Sequence, residues 1–381
     1  MKKFSDAITV ISFFTILVMF AVSVLFFSGN KDFELSGSDP GEVRDAVNDY
    51  VDSNFPLSAN WRSLYANLML LTGRVQFDDV FYTDERLIRS YDSIDLDNGM
   101  DNADKINTLA DMYLAPVYVM LSPTAAGIYS ADLPEYAADD EQKDSINKIY
   151  MELDKKVGTI DAYYPLYSAR DEYIFYRTED LWTSFGAYYA YCGSVGQLGL
   201  EASKLQNYDQ EYASSSFTGS LYAKAMCSGI LPDRINIFRS KYQSPVESVE
   251  LEKNGEVKKS GSVYFRSALK SGRQTDIFLQ GDNYERVTVR TASEDAPTLL
   301  VIKGSFANTL IPFYTPHYRE ITLIDPELVK KAGKNITDYV NPNRYDQILV
   351  MYDVESFCEA DCFDVLTAER KSKQAESGEE D

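Results

Sequence analysis

The stretch Thr298-Leu299-Leu300-Val301-Ile302-Lys303-Gly304-Ser305-Phe306-Ala307-Asn308 decides how the fold is interpreted. Its first five residues predict a buried strand, and a helix is expected from Thr309 onward. Ligands of open α/β sheets bind beyond the carboxyl ends of the strands, which is where Ser305 stands. Ser305 is thus placed as a nucleophile would be, with backbone N–H groups and Asn308 as potential oxyanion donors. The alternative is that Ser305 only caps the helix and Asn308 satisfies a loop.

Strand and helix patterns alternate on both sides of this stretch. Strands are predicted at 80–82, 116–121, 159–164, 173–176, 320–325 and 347–352, and helices at 42–54, 60–71, 103–115, 139–155 and 184–200. The second helix carries an apolar stripe of Trp61, Leu64, Leu68 and Leu71 that we assign to core packing. Asn254-Gly255 between two strand-like segments predicts an inserted β-hairpin. The alternation predicts a three-layer α/β domain with a mostly parallel sheet.

Composition excludes some functions. The formal net charge is -22 and the pI is about 4.5, and no basic stripe interrupts the acidic sequence, so nucleic acid is not expected as a partner. His317 is the single histidine and no Cys-x-x-Cys occurs, so we expect neither a metal nor another cofactor. The four cysteines, at positions 192, 227, 358 and 362, permit three disulfide pairings, and the sequence does not choose among them.

The N-terminus predicts a membrane anchor. Residues 7–28 carry no charge, and a helix of that length, at about 1.5 Å per residue, spans a hydrocarbon layer of roughly 30 Å. The alternative is a cleaved signal peptide, but the residues after Phe27 form a poor cleavage site. Lys2 and Lys3 favour a cytoplasmic N-terminus. We therefore expect a single-pass protein of the cell membrane whose bulk is extracytoplasmic: residues 1–6 cytoplasmic, 7–28 anchor, 29–41 linker, 42–368 one domain and 369–381 a disordered tail.

A second segment that invites chemistry is Tyr176-Arg177-Thr178-Glu179-Asp180-Leu181-Trp182-Thr183-Ser184. It leads from an extended run into a helix that Thr183 or Ser184 can cap. Glu179 and Asp180 thus stand just before a helix N-terminus, at a corner where reactive side chains are often presented.

Several segments in a fixed order resemble a known family. They are 121–129, 176–191, 217–222 and 302–308, followed by His317-Tyr318. Together they resemble the DHHW family of membrane-anchored, extracytoplasmic proteins, which is similar to the SGNH-hydrolase-like domains of alginate O-acetyltransferases. The resemblance covers most of residues 60–355. It implies an SGNH-hydrolase-like fold and a Ser-His-Asp triad.

The resemblance also implies that the triad is degenerate in this chain. The family's aspartate position is Glu179, its two histidine positions are Asp180 and Leu181, and Trp182 alone is retained from the four-residue signature. Ser305 and Asn308 are kept, although the residue before the serine is Gly304 instead of aspartate. Leucine cannot accept the serine proton, and loss of a triad member removes several orders of magnitude of rate.

Two functions follow from these positions. The first is a catalytically degenerate pseudoenzyme that binds a cell-surface polysaccharide, or a membrane acyltransferase partner, in an O-acetylation pathway, with Arg177, Asp180 and Trp182 as substrate-binding candidates. The second is a weak or altered serine esterase or O-acetyltransferase that uses Ser305 with His317 or an acid. We interpret His317 as structural. An unshifted carboxylate activates a serine poorly at neutral pH.

Overall fold

The structure is a computed structural model that describes residues 10–19, 22, 57–89, 93–134, 136–137, 142–241 and 246–367. Residues 10–19 and 22 of the expected anchor are helical. The rest of that segment, the linker, the helix predicted at 42–54 and the C-terminal tail lie outside the described residues. Within the described ranges, no helix is both long enough and apolar enough to cross a membrane.

The elements of the described chain follow in sequence order. The strands are β1 Gln76–Phe77, β2 Val80–Tyr82, β3 Leu87–Arg89, β4 Val117–Ser122, β5 Gly158–Asp161, β6 Tyr208–Phe217, β7 Asp233–Ser240, β8 Val246–Lys253, β9 Glu256–Ser260, β10 Arg286–Thr291, β11 Thr298–Lys303, β12 Glu320–Ile324 and β13 Gln347–Asp353. After the N-terminal helical segment, the α-helices are α1 Ser58–Leu71, α2 Leu96–Met112, α3 Ala125–Ile128, α4 Gln142–Glu152, α5 Tyr163–Ser168, α6 Ser184–Ser194, α7 Ser220–Ala225, α8 Ala307–Tyr314, α9 Pro326–Lys331, α10 Ile336–Tyr339, α11 Val354–Glu359 and α12 Asp364–Thr367.

The chain divides into two compact units, one formed by Met1–Val75 with Ala225–Ser228 and the other by Gln76–Lys224 with Gly229–Asp381. The first unit contains α1. The apolar stripe of that helix is exposed, with half of Trp61 and 84% of Leu71 accessible to solvent. The expectation that this stripe packs into a core is therefore wrong.

The second unit is built on an eight-stranded sheet with the order β5-β4-β13-β11-β12-β10-β8-β9. The strands from β5 to β12 pair in parallel, and β10, β8 and β9 add antiparallel pairs. The prediction of a mixed α/β fold with a large, mostly parallel sheet is confirmed. The hairpin turn lies at Asn254 and Gly255, whose φ values are 52° and 83°, and its strands β8 and β9 extend the edge of this sheet. The extended run predicted at 173–176 forms only a single bridge, between Phe175 and Trp182.

Alternate residues of β11 face two different hydrophobic clusters. Leu299 and Val301 pack with residues of α6 and α8, whereas Leu300 and Ile302 pack with residues of α2, α4 and α11. Because both faces of the strand are covered, its sequence is a continuous apolar run without alternation. The carboxyl ends of β4, β11, β12 and β13 meet at one edge of the sheet, which brings distant polar residues together there.

Candidate active site at the carboxyl edge of the sheet

Ser305 lies in the turn between β11 and α8. Gly304 makes this turn possible, because its N–H donates to the Met351 carbonyl at 2.8 Å and a Cβ at this position would stand 2.8 Å from Cδ1 of Tyr352. The Ser305 side chain does not cap the helix: its hydroxyl donates to Oδ2 of Asp282 at 2.6 Å. Asn308 donates from Nδ2 to Oδ1 of the same carboxylate at 2.7 Å. Both side chains are thus held by Asp282, a residue that the sequence did not single out.

The third partner of Asp282 is Lys303, the last residue of β11. Its ammonium forms an ion pair with Asp282 and lies 3.5 Å from Oδ2 of Asp325. Burial on its own raises the pKa of Asp282, but the charge and hydrogen bond of Lys303, with the hydrogen bonds from Ser305 and Asn308, lower it to about 2. The Asp282 carboxylate therefore stays ionised at neutral pH.

Lys303 itself is almost fully buried, with 2% of its surface exposed. Burial lowers the pKa of a lysine, but the charges of Asp282 and Asp325 outweigh this and hold the pKa of Lys303 above its usual value. The ammonium keeps its proton, so Lys303 cannot serve as a base for Ser305. Its role is to fix the charge of Asp282.

Asp282 reaches this position because of an unusual backbone turn. Leu279, Gln280 and Gly281 all have left-handed conformations, with φ values of 53°, 65° and 64°. A non-glycine residue in that region costs on the order of 1 kcal/mol or more, and such strain is often found at ligand sites. The segment between β9 and β10 has no periodic apolar pattern, so this arrangement gave no signal in the sequence.

The corner at 176–182 is tied down by a buried carboxylate, Asp233, at the start of β7. Asp233 accepts hydrogen bonds from the backbone N–H groups of Arg177 and Thr178, each at 2.8 Å, and from the Tyr173 hydroxyl at 2.5 Å. Glu179 then accepts from the Ser220 N–H at 2.9 Å and from the Ser220 hydroxyl. The carboxylate at the family's aspartate position is thus committed to the start of α7.

A cavity of about 420 Å³ joins this corner to the serine turn. Its lining includes Glu179, Asp180, Leu181, Ser220, Ser305 and Asn308, together with Asp282. Asp180 also lies 3.6 Å from the Arg89 guanidinium. The structure therefore brings the family's triad positions to one cavity although they are far apart in the sequence. Whether they act in catalysis stays a prediction.

Two of the substrate-binding candidates, Arg177 and Trp182, do not line this cavity. Trp182 is completely buried, and its indole N–H donates to the Phe306 carbonyl at 3.0 Å. The Arg177 guanidinium lies over the Tyr173 ring, 4.7 Å from its centroid. Trp182 therefore joins the corner to the serine turn as a packing residue and offers no surface to a ligand.

His317 lies in an aromatic cluster. Its Nε2 and the Tyr191 hydroxyl are 2.7 Å apart, and the two rings stack with centroids 5.7 Å apart. Burial lowers the pKa of His317, so the ring is neutral at pH 7. It does not line the cavity that contains Ser305.

Sequence reasoning also missed several polar residues of the cavity, namely Arg89, Thr124, Arg273, Asp276 and Asp353. Asp353 ends β13, and burial raises the pKa of its carboxyl group. No group of three potential ligands suited to a metal occurs in the part of the chain that the structure describes. The cysteines, Cys192, Cys227, Cys358 and Cys362, are all free thiols.

The fold and the cavity define a class of protein: an α/β domain with a serine beyond the central strand of a mostly parallel sheet. The model of the DHHW protein family matches residues 89–324, and the chain belongs to that family. The resemblance seen in the sequence is thus confirmed. No curated protein matches this chain.

Several solved structures are similar to this chain. A DHHW family protein from Eubacterium siraeum aligns with a TM-score of 0.59 and 22% identity, covering 76% of this chain and 97% of that one. Bacillus cereus PatB1, solved with a sulfonyl adduct, aligns with a TM-score of 0.61 and 15% identity, covering 75% and 97%. The O-acetyltransferase domain of Pseudomonas putida AlgJ matches with a TM-score of 0.44 and 14% identity, covering 74% and 92%. The identities are low, so the likeness to the first two structures is one of fold alone.

Proposed function

We propose that this protein is a catalytically silent DHHW-type component of cell-surface polysaccharide processing, which binds a hydroxyl-rich glycan in the Ser305 cavity. In this proposal residues 7–28 anchor it in the cell membrane with its bulk outside. A membrane acyltransferase is the partner that the proposal implies.

One observation supports the proposal that the protein is catalytically inactive. The Ser305 hydroxyl donates to a carboxylate whose pKa is about 2. A general base works best when its pKa lies near the operating pH, and this carboxylate is several units too weak. Leu181, at the family's histidine position, offers no proton acceptor. Ser305 therefore lacks the activation that nucleophilic attack requires.

The same cavity has the properties of a binding site. Its volume of about 420 Å³ is within the usual range for small-ligand pockets. Asp180 and Asp276 present acceptors to sugar hydroxyls, and Arg273 presents donors. Leu181 is half-buried and supplies apolar surface on which one face of a sugar ring can rest.

Asp353 favours a second candidate, an altered serine esterase or O-acetyltransferase. Asp353 lines the same cavity, its carboxylate accepts a hydrogen bond from the Ser356 N–H at 2.8 Å, and burial raises its pKa, the direction that a general base needs. In this alternative Asp353 takes the proton of Ser305 once Asp282 has released the hydroxyl.

Filling the cavity tests the binding function. Full-length protein in detergent is applied to an array of neutral oligosaccharides, beside Leu181→Trp, which places an indole in the cavity, and Leu114→Trp, whose position is 95% exposed. We expect binding that falls at least about tenfold in Leu181→Trp and persists in Leu114→Trp. If no neutral oligosaccharide binds, or if Leu181→Trp binds as well as the parent protein, the proposed function is wrong.

A further inference from the structure

A second cavity, of about 630 Å³, lies at the opposite edge of the sheet. Its lining includes Thr298, near the start of β11, and Glu320 and Thr322, near the start of β12. Ser305 follows the other end of β11, and the two cavities share no lining residue. We call this cavity the arginine groove, because Arg286, Arg290, Arg319 and Arg344 all line it.

The floor of the groove is polar although it continues an apolar surface. On the same sheet face, Leu300, Ile302 and Ile324 pack into a hydrophobic cluster, but toward the groove this face carries Thr288, Thr298 and Thr322. The Thr288 and Thr322 hydroxyls face each other at 3.3 Å. A solvated antiparallel face is commonly polar, which alone does not make a site.

The floor of the groove is enclosed, unlike an open solvated face. Thr288, Thr298 and Thr322 are at most 5% exposed. A wall formed by α10 and residues 341–345 stands over the sheet and contributes Tyr339 and Tyr345. Hydroxyl groups beside aromatic rings are suited to a ligand that has both polar edges and flat apolar faces.

The arginines fall into two pairs with different surroundings. Arg286 pairs with Glu252 at 2.5 Å, and Arg290 pairs with Glu250 at 3.2 Å and Glu320 at 2.9 Å. These two guanidinium groups are therefore neutralised by the neighbouring strand residues.

Arg319 and Arg344 are exposed, and neither makes an ion pair with the described residues. The pKa of Asp346 is lowered mainly by hydrogen bonds from Thr298, and the charge of Arg319 makes a smaller contribution in the same direction. The acids Glu247, Glu294 and Asp338 also line the groove, so its available positive charge is confined to Arg319 and Arg344. A guanidinium group binds a carboxylate through two parallel hydrogen bonds, so Arg319 and Arg344 are suited to a ligand whose carboxylate groups are separated from one another.

We infer that the arginine groove is a second carbohydrate site, which binds saccharides bearing carboxylate groups, such as oligosaccharides of uronic acids. Arg319 and Arg344 hold the carboxylates, while threonine and tyrosine hydroxyls and the tyrosine rings contact the sugar. The inference does not depend on the function proposed for the Ser305 cavity. Together with the glycan proposed for the Ser305 cavity, it would give the protein two glycan contacts on opposite edges of one sheet.

The test is calorimetric titration of the full-length protein in detergent with a tri-galacturonate probe. The parent is compared with Arg319→Ala/Arg344→Ala, with Arg319→Lys/Arg344→Lys, and with Lys258→Ala/Lys270→Ala, a control that removes the same charge from exposed positions elsewhere. We expect the alanine pair to weaken binding at least about tenfold, the lysine pair to weaken it less, and the control to bind like the parent. Raising the salt concentration should weaken binding of the parent.

The inference is overturned if tri-galacturonate does not bind, if the alanine pair binds as tightly as the parent, or if a neutral trisaccharide of the same length binds equally well. A melting curve by circular dichroism establishes that the exposed substitutions leave the fold intact. Leu181→Trp, which fills the other cavity, should bind the probe normally, so failure at one site is distinguished from failure at the other.

Discussion

The Ser305 hydroxyl donates a 2.6 Å hydrogen bond to the carboxylate of Asp282, which lies 23 residues earlier in the chain. In a serine enzyme the hydroxyl faces a base that can accept its proton. Here the partner is a carboxylate that Lys303 and Asn308 hold in the ionised state. The relationship makes Asp282 the centre of the serine turn and the main reason to expect no turnover.

Replacing Asp282 with asparagine should destabilise the protein. The change keeps the shape of the side chain but removes the ion pair between the buried Lys303 ammonium and Asp282, and leaves Asp325 at 3.5 Å. Removing one partner of a buried pair costs about 3–5 kcal/mol, and we expect the lower end of this range because Asp325 remains. The free energy of unfolding from urea titration measures it. Asp295→Asn, at an exposed position, is the matched control and should change stability by less than about 0.5 kcal/mol. Equal stability of the two variants would show that Asp282 does not stabilise the buried Lys303 ammonium.

The contribution of Asp282 should depend on pH. Its pKa is lowered from 3.8 to about 2 on folding, so the folded state holds the carboxylate more strongly than the unfolded state does. The resulting stability is present above about pH 4 and is lost as the pH falls toward 2. The stability difference between the parent and Asp282→Asn should therefore shrink over this interval. A difference that stays constant or grows at low pH would contradict the assignment.

Gly304 should resist even a small side chain. The family carries aspartate here, but a Cβ at this position would stand 2.8 Å from the Tyr352 ring. Gly304→Ala should therefore destabilise by about 1–3 kcal/mol through overpacking. Combining it with Tyr352→Leu should cost less than the sum of the two single changes, because the neighbours are in contact. Strict additivity in a double-mutant cycle would show that the ring does not restrict this position.

Restoring the family signature should test the geometry of the cavity. Glu179→Asp, Asp180→His and Leu181→His together place imidazoles at positions that line the same cavity as Ser305. We expect hydrolysis of a chromogenic acetyl ester that is absent in the parent and abolished when Ser305→Ala is added. Lack of any activity in the correctly folded triple variant would mean that position 181 does not serve Ser305.

The sequence predicted those parts of the site that follow from regular patterns. The apolar run of β11 is continuous because both of its faces are buried, and that placed Ser305 beyond the end of a central strand. The position of Asp282 was not predictable, because it is set by the left-handed backbone of residues 279–281 and not by a strand or helix with a recognisable pattern. Trp182 looked like a ligand-facing aromatic side chain, but its indole N–H is satisfied by the Phe306 carbonyl inside the core.

Ester turnover by the full-length protein, measured beside Ser305→Ala, tests the central claim most directly. Because Ser305 faces a carboxylate with a pKa of about 2 and no histidine lines the cavity, we predict that the parent and the variant hydrolyse a chromogenic acetyl ester at the same background rate. Turnover by the parent that disappears in Ser305→Ala would contradict the account and establish a working serine nucleophile.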